Sequence, residues 1–281
     1  MRAVAADAAL AGVGRATVRA VVRDAEVRLR AAGCQAPRLD AELLVAEALG
    51  LDRATLFRVP ERALSPVAAC RVAERVGRRA AREPVAYIVG RRGFRRLDLA
   101  VDRRVLIPRP ETELLVDVAL GAVPVGGRVH DVGTGSGAVA LALKDERPDL
   151  EVSASDVSED AVVVARTNVA RLELDVEISL ARGLPAGVYD LVVANLPYIA
   201  EDEWRALVPE IVRYEPVEAL IGGGPDGLDA IRALVDLAPS GTRLALEHAP
   251  DQAPEVRALL RGAESFRGLG RGEEVTLGRA P

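Results

Sequence analysis

From residue 128 onward, short apolar runs of strand length alternate with segments of helical periodicity. No other feature restricts the chain as much. Strands are expected at 128–132, 150–155, 175–180, 188–194 and 243–248, with helices at about 136–146, 158–171 and 226–238. Strands separated by helices cross over and pair in parallel, which predicts an α/β sheet with helices on its faces. The tail departs from this pattern. Ser265–Leu269 and Glu274–Gly278, joined by Gly270-Arg271-Gly272, read as an antiparallel hairpin closing a sheet edge.

The first third of the chain lacks any period-two pattern. Val18, Val21, Val22, Ala25 and Leu29 follow helical spacing, as do Leu39, Leu43, Leu44, Ala46 and Leu49, with Gly50 as a stop. Ser65-Pro66 reads as an N-cap followed by a first-turn proline, opening a helix that runs to about Arg82. Residues 1–83 are therefore expected to form a small helical domain. Residues 84–110 read as a linker or hairpin, with extended pieces at Tyr87-Ile88-Val89-Gly90 and Leu97–Val101 and a non-helical Ile107-Pro108-Arg109-Pro110. Residues 111–281 form the α/β domain, entered by a helix from Glu111-Thr112-Glu113 through Leu120.

Composition excludes several classes. The 281 residues are 49% apolar and 28% charged, which argues against disorder. No apolar run approaches the roughly 18 residues of a membrane span, and Met1–Gly14, with Asp7, fits a secretory signal poorly, so a cytoplasmic protein is expected. Two cysteines, Cys34 and Cys70, cannot staple a scaffold or complete a four-ligand zinc site, and read as packing residues. Aromatics at 3% are too few for base-stacking platforms. The net charge of -5 hides a split: 15 arginines against 10 acids in residues 1–90, then 22 basic against 32 acidic residues. Twelve arginines lie in 71–109, either a basic contact surface for an anionic partner or a solvated face.

Gly133-Thr134-Gly135-Ser136-Gly137 follows a strand and precedes a helix. Glycines there permit a sharp turn and close approach of a ligand, and N–H groups at a helix start attract polar or anionic groups. Asp156 ends the next strand and is placed to accept the ribose hydroxyls of a nucleoside. The same glycines satisfy a dinucleotide fingerprint, so on the loop alone NAD and other nucleoside cofactors compete. A second motif, Asn195-Leu196-Pro197-Tyr198, ends a buried-strand run. Ligands of open α/β sheets bind beyond the carboxyl ends of strands, so it would face the same crevice. The Asn195 amide oxygen and the Leu196 carbonyl can both accept from an NH2 group. Pro197 stiffens the loop and Tyr198 supplies a flat wall. Two fixed acceptors would stabilise charge growing on a planar nitrogen as it takes a methyl from a sulfonium. An oxidoreductase lacks an obvious proton-transfer residue, since His130 and His248 are the only histidines. His130 reads as structural. His248, beside Glu247, ends a strand near the crevice.

The chain resembles the release-factor glutamine N5-methyltransferases (HemK/PrmC type) over nearly its full length. The resemblance rests on Pro37–Leu44, Arg82–Ile88, Leu106-Ile107-Pro108-Arg109-Pro110-Glu111-Thr112-Glu113, Asp131–Gly137, Glu215–Leu220, Gly223–Asp229 and Val275–Arg279. It implies a class I S-adenosylmethionine-dependent methyltransferase, a Rossmann-like, seven-stranded, mostly parallel sheet with a C-terminal antiparallel hairpin, behind a small all-α N-terminal domain. It implies S-adenosyl-L-methionine at Gly133, Thr134, Gly135, Ser136, Gly137, Asp156 and Asn195. The substrate glutamine, from the Gly-Gly-Gln motif of bacterial peptide chain release factors, is implied against Asn195, Leu196, Pro197 and Tyr198, where catalysis would occur. The helical domain would help grip the release factor. No metal, membrane or nucleic acid is required, and a monomer is expected. Three positions depart from the family. Leu196 replaces a proline, Ser179 stands where an acid near the adenine is common, and Gly93 precedes Phe94 where Glu is usual. The alternatives are an adenine N6-methyltransferase acting on nucleic acid, since Asn-Leu-Pro-Tyr resembles that motif too, and an inactive methyltransferase-like binding protein. Arg109, Glu111 and Glu113 read equally as entrance residues or as interdomain and helix-end charges.

Overall fold

The computed structural model describes residues 16–268 and 272–281. The chain divides into two compact units between Val89 and Gly90.

The first unit contains α1 (Val18–Ala31), α2 (Pro37–Leu49), α3 (Arg53–Arg58), α4 (Pro66–Ala80) and α5 (Val85–Val89). Thr17, Asp52 and Ser65 cap α1, α3 and α4 by accepting from the backbone N–H three residues on. Gly50 ends α2 in the left-handed region. The apolar stripe Val18, Val22, Ala25 and Leu29 packs with Leu44, Val45, Leu56, Val72 and Val76. A buried ion pair, Arg79 Nε to Asp40 Oδ2 at 2.7 Å, ties α4 to α2. The extended reading of 87–90 is wrong for 87–89. The Pro84 carbonyl accepts from the N–H groups of Tyr87 and Ile88, and the short apolar run closes into α5 with both side chains buried.

The second unit opens with an antiparallel hairpin, β1 (Arg91–Phe94) and β2 (Leu97–Ala100), followed by a 3-10 turn over Pro110–Thr112 and α6 (Glu113–Ala122). There follow β3 (Arg128–Val132), α7 (Ala138–Glu146), β4 (Glu151–Asp156), α8 (Glu159–Leu172), β5 (Glu177–Leu180), β6 (Leu191–Ala194), α9 (Pro209–Tyr214), α10 (Asp229–Leu237), β7 (Arg243–His248), α11 (Ala253–Ala258), β8 (Arg261–Arg267) and β9 (Glu274–Arg279). The sheet order is β5-β4-β3-β6-β7-β9-β8. The first five strands are parallel, and β9 and β8 join antiparallel. This is the seven-stranded sheet that the resemblance implies. Its chain order reverses between β3 and β6, and a crevice opens at such a switch point.

One face of the sheet is covered by Leu115, Leu141, Leu143 and Val162, and the other by Leu228, Ile231, Leu234 and Val256. The strand expected from 188 begins only at Leu191, and Val188 is exposed. The helix expected from 226 begins at Asp229, because Asp226 Oδ1 accepts from Leu228 N–H and holds the preceding turn. Of the tail turn, Gly270 and Arg271 lie outside the described residues. His130 is structural. It is buried in β3, with Nδ1 2.8 Å from Ser153 Oγ and Nε2 2.9 Å from Ser155 Oγ, and burial holds its pKa down at about 4.

Candidate active site

Strand register decides where the two motifs meet. Val132 of β3 pairs with Ala194 of β6, so Gly133 and Asn195 leave the sheet from the carboxyl ends of adjacent strands. A Cβ on Gly133 would lie 2.9 Å from Leu196 Cδ2. The glycine loop and the Asn-Leu-Pro-Tyr loop are therefore neighbours across the switch point.

The glycine loop is built from inside. Gly133, Gly135 and Gly137 all have positive φ, which a side chain would strain. The N–H groups of Gly133 and Thr134 both donate to the Ser155 carbonyl, Gly137 N–H donates to the Thr134 carbonyl, and Gly135 N–H donates to Asp156 Oδ2 at 2.9 Å. Thr134 is buried and donates to Asp131 Oδ2 at 2.6 Å; Ser136 is also buried, and its carbonyl accepts from Asn168 Nδ2. The N–H groups of residues 133–137 are mostly engaged. Four of the five are spent within the protein. A pyrophosphate needs several such donors, so the loop does not suit a dinucleotide. It suits a ligand without phosphate that must come close to the backbone. A Cβ at Gly135 would meet nothing within 4 Å, so open space lies over the loop.

Asp156 braces this cradle, with Oδ1 accepting from Ser158 N–H. Each carboxylate oxygen keeps a further lone pair, enough for two ribose hydroxyls. Val157 and Leu180, 59% and 50% exposed beside Asp156, present apolar surface suited to a flat purine. Sequence reasoning missed both. It placed Ser179 at this rim instead. Ser179 lies inside β5, paired with Ser155, and donates to the Ala154 carbonyl at 3.3 Å, so Leu180 is the strand's last residue beside Asp156.

The second loop is held from below and from the side. Asn195 Nδ2 donates to Thr112 Oγ1 at 2.9 Å, and Thr112 Oγ1 donates to Glu247 Oε1 at 3.1 Å. Asn195 Oδ1 and the Leu196 carbonyl receive no hydrogen bond from the described residues. Glu247 is 1% exposed, and its Oε2 has no partner among the described residues. Burial pushes its carboxyl up to about 8. The Tyr198 hydroxyl lies 3.2 Å from Glu273 Oε1, and its pKa is raised by burial and by the charges of Glu247 and Glu273. Gln252 Nε2 donates to the carbonyls of Tyr198 and Asp226, both at 2.8 Å. Ile199 N–H donates to the Leu220 carbonyl and Gly222 N–H to the Ile199 carbonyl, so the 220–228 segment lies directly on the loop.

Thr112, Glu247, Glu273 and Gln252 were not singled out as site residues. One signal was readable: an acid at the end of the buried run Leu244–Leu246 is rare unless it has a task. His248 turns away, its Nε2 2.7 Å from Thr276 Oγ1. Arg109 pairs with Glu215, whose other oxygen accepts from Ile107 N–H. Glu113 Oε1 accepts from Arg95 N–H. Part of the arginine-rich stretch is ion-paired within its own unit. Arg78 pairs with Glu83, Arg95 with Glu146 and Asp117, Arg96 with Asp145, and Arg104 with Asp102.

A seven-stranded sheet of this order, with the glycine loop, Asp156 and the Asn-Leu-Pro-Tyr loop at its switch point, has the architecture of a class I S-adenosylmethionine-dependent methyltransferase. The domain family described as PrmC N-terminal domain matches residues 20–90, and the one described as methyltransferase small domain matches residues 110–224. The release factor glutamine methyltransferase of Rhodospirillum rubrum is 42% identical over 83% of this chain and 74% of its own. That of Caulobacter vibrioides is 39% identical over 90% of this chain and 93% of its own. The chain belongs to the release factor glutamine methyltransferase family. Among solved structures, the hMettl16 catalytic domain in complex with MAT2A 3'UTR hairpin 1 superposes with a TM-score of 0.51 at 14% identity, covering 64% of this chain and 73% of that one, a likeness of fold alone.

Proposed function

We propose that this protein methylates the side-chain amide nitrogen of the glutamine in the Gly-Gly-Gln motif of peptide chain release factors. The observation that carries the reading is the pair of unspent acceptors, Asn195 Oδ1 and the Leu196 carbonyl, beside a cradle whose own donors are spent. Gly133–Gly137 and Asp156 would hold S-adenosylmethionine, which supplies an electrophilic methyl group when bound.

A carboxamide nitrogen is a poor nucleophile because its lone pair is delocalised. Asn195 Oδ1 and the Leu196 carbonyl accept its two N–H bonds and fix the nitrogen's direction. They also stabilise the positive charge that develops there, an effect typically worth about 3–4 kcal/mol per well-placed polar group. The proline replaced by Leu196 had only a backbone carbonyl to offer, and leucine keeps it. Tyr198 walls the pocket, and with its pKa raised it stays a neutral phenol. A release factor as substrate is consistent with a cytoplasmic protein.

Asn195→Ala is expected to abolish turnover while leaving S-adenosylmethionine affinity within a few-fold of wild type, by calorimetry and a release-factor methylation assay. Turnover at the wild-type rate would reject the reading.

A further inference from the structure

An asparagine amide can be flipped by half a turn at little cost in shape, which exchanges its acceptor for its donors. In this site a flip would remove an acceptor from the substrate and offer it an N–H instead. Something must hold the group one way round. Thr112 Oγ1 and the Glu247 carboxyl both face Asn195 Nδ2. Thr112 gives its single hydroxyl proton to Glu247 Oε1 and so meets Asn195 with a lone pair. With its proton given to Glu247 Oε1, Thr112 would meet a flipped amide oxygen with a lone pair. Thr112 and Glu247 are both buried, and Glu247 Oε2 has no partner among the described residues. An unpartnered buried carboxyl oxygen is costly. A fold that needed only to fill this space would place an apolar side chain here.

We propose that Thr112 and Glu247 are positioning residues that lock the Asn195 carboxamide with its oxygen toward the substrate amide. Thr112 enters from the turn before α6, Glu247 from the end of β7 and Asn195 from the end of β6. The lock therefore draws on three separated segments and acts through Asn195. It rests on the reading of Asn195 given above.

The test compares Thr112→Val, Thr112→Ser, Glu247→Leu, the Thr112→Val/Glu247→Leu double variant and Asn195→Ala in the full-length protein, with purified release factor as substrate. Loss of a supporting group behind a functional side chain typically costs about 10–100-fold. Thr112→Val and Glu247→Leu are each expected to lower kcat by that factor, with KM for the release factor and affinity for S-adenosylmethionine within about three-fold of wild type. Thr112→Ser, which keeps the hydroxyl, is expected to recover most of the loss. The double variant is expected to be no worse than the weaker single, because both act on one amide. Wild-type kcat in Thr112→Val, no recovery in Thr112→Ser, or losses that track the melting temperature would overturn the lock. Asn195→Ala separates the two levels. If it is inactive while Thr112→Val is normal, only the lock fails; if it is fully active, the reading beneath the lock fails.

Discussion

Asp131 and Glu247 end or nearly end central strands with almost no exposure, and burial pushes their carboxyls up to about 7 and about 8. Both values lie above those of the unfolded chain, so the folded protein holds protons that the unfolded chain would release. Their stabilising contribution is complete below pH 4 and is lost as pH rises to about 8. The buried histidines His130 and His248 are depressed and act in the opposite sense, but only below their ordinary value of 6.5. Melting temperature should therefore fall between pH 6.5 and 8.5, and less steeply in Glu247→Gln, which cannot ionise. An unchanged slope in that variant would show that Glu247 does not titrate there. At Asp156 the matching prediction concerns the ligand. Asp156→Ala should weaken S-adenosylmethionine binding by about 1–3 kcal/mol, the cost of leaving polar partners unpaired, and calorimetry that finds no change would remove the ribose role. The sequence showed Asp156 and Asn195–Tyr198 because each stands in a contiguous motif. It hid Thr112 and Glu247 because their contact spans 135 positions and only the folded sheet brings them together.

Among the elements, the segment over Ile221–Leu228 has the least tolerance for change. A Cβ on Gly222 would collide with the carbonyl oxygens of Gly227 and Pro197, and one on Gly227, which has positive φ, with the carbonyl of Tyr198. These obstacles are backbone, so neither can rotate aside. Gly222→Ala should displace the Asn-Leu-Pro-Tyr loop and cost turnover at least ten-fold, with a lowered melting temperature. Gly121→Ala, whose Cβ would meet nothing within 4 Å, should change neither. Equal activity of the two variants would mean that the loop does not depend on this packing. The parallel strands were legible as short apolar or alternating runs bounded by helices or turns. Residues 87–89 were not. A short apolar run fits strand or helix alike, and the choice fell to Pro84, whose carbonyl starts a helical turn. Ser179 entered through the resemblance: the strand expected over 175–180 does end at Leu180, and Ser179 stands one position inside it with its hydroxyl on the Ala154 carbonyl.

For the molecule as a whole, the charge asymmetry was visible in the sequence but its meaning was not. Twelve arginines lie between 71 and 109, and the acids that pair with several of them lie up to 106 positions away, as in Arg109–Glu215. The glycine loop carried a similar ambiguity. Its spacing fits a dinucleotide, but the hydrogen bonds that consume its N–H groups depend on Ser155 and Asp156 of the neighbouring strand. Only the assembled βαβ unit shows those donors to be spent. No helix among the described residues is long and apolar enough to cross a membrane. The central claim is the identity of the methylated atom. Purified protein incubated with isotopically labelled S-adenosylmethionine and a full-length release factor, followed by mass spectrometry of the Gly-Gly-Gln peptide, reads it directly. The account predicts one labelled methyl group on the glutamine side-chain nitrogen. Label on another residue, or none with a release factor that a relative of this family methylates in parallel, would contradict it.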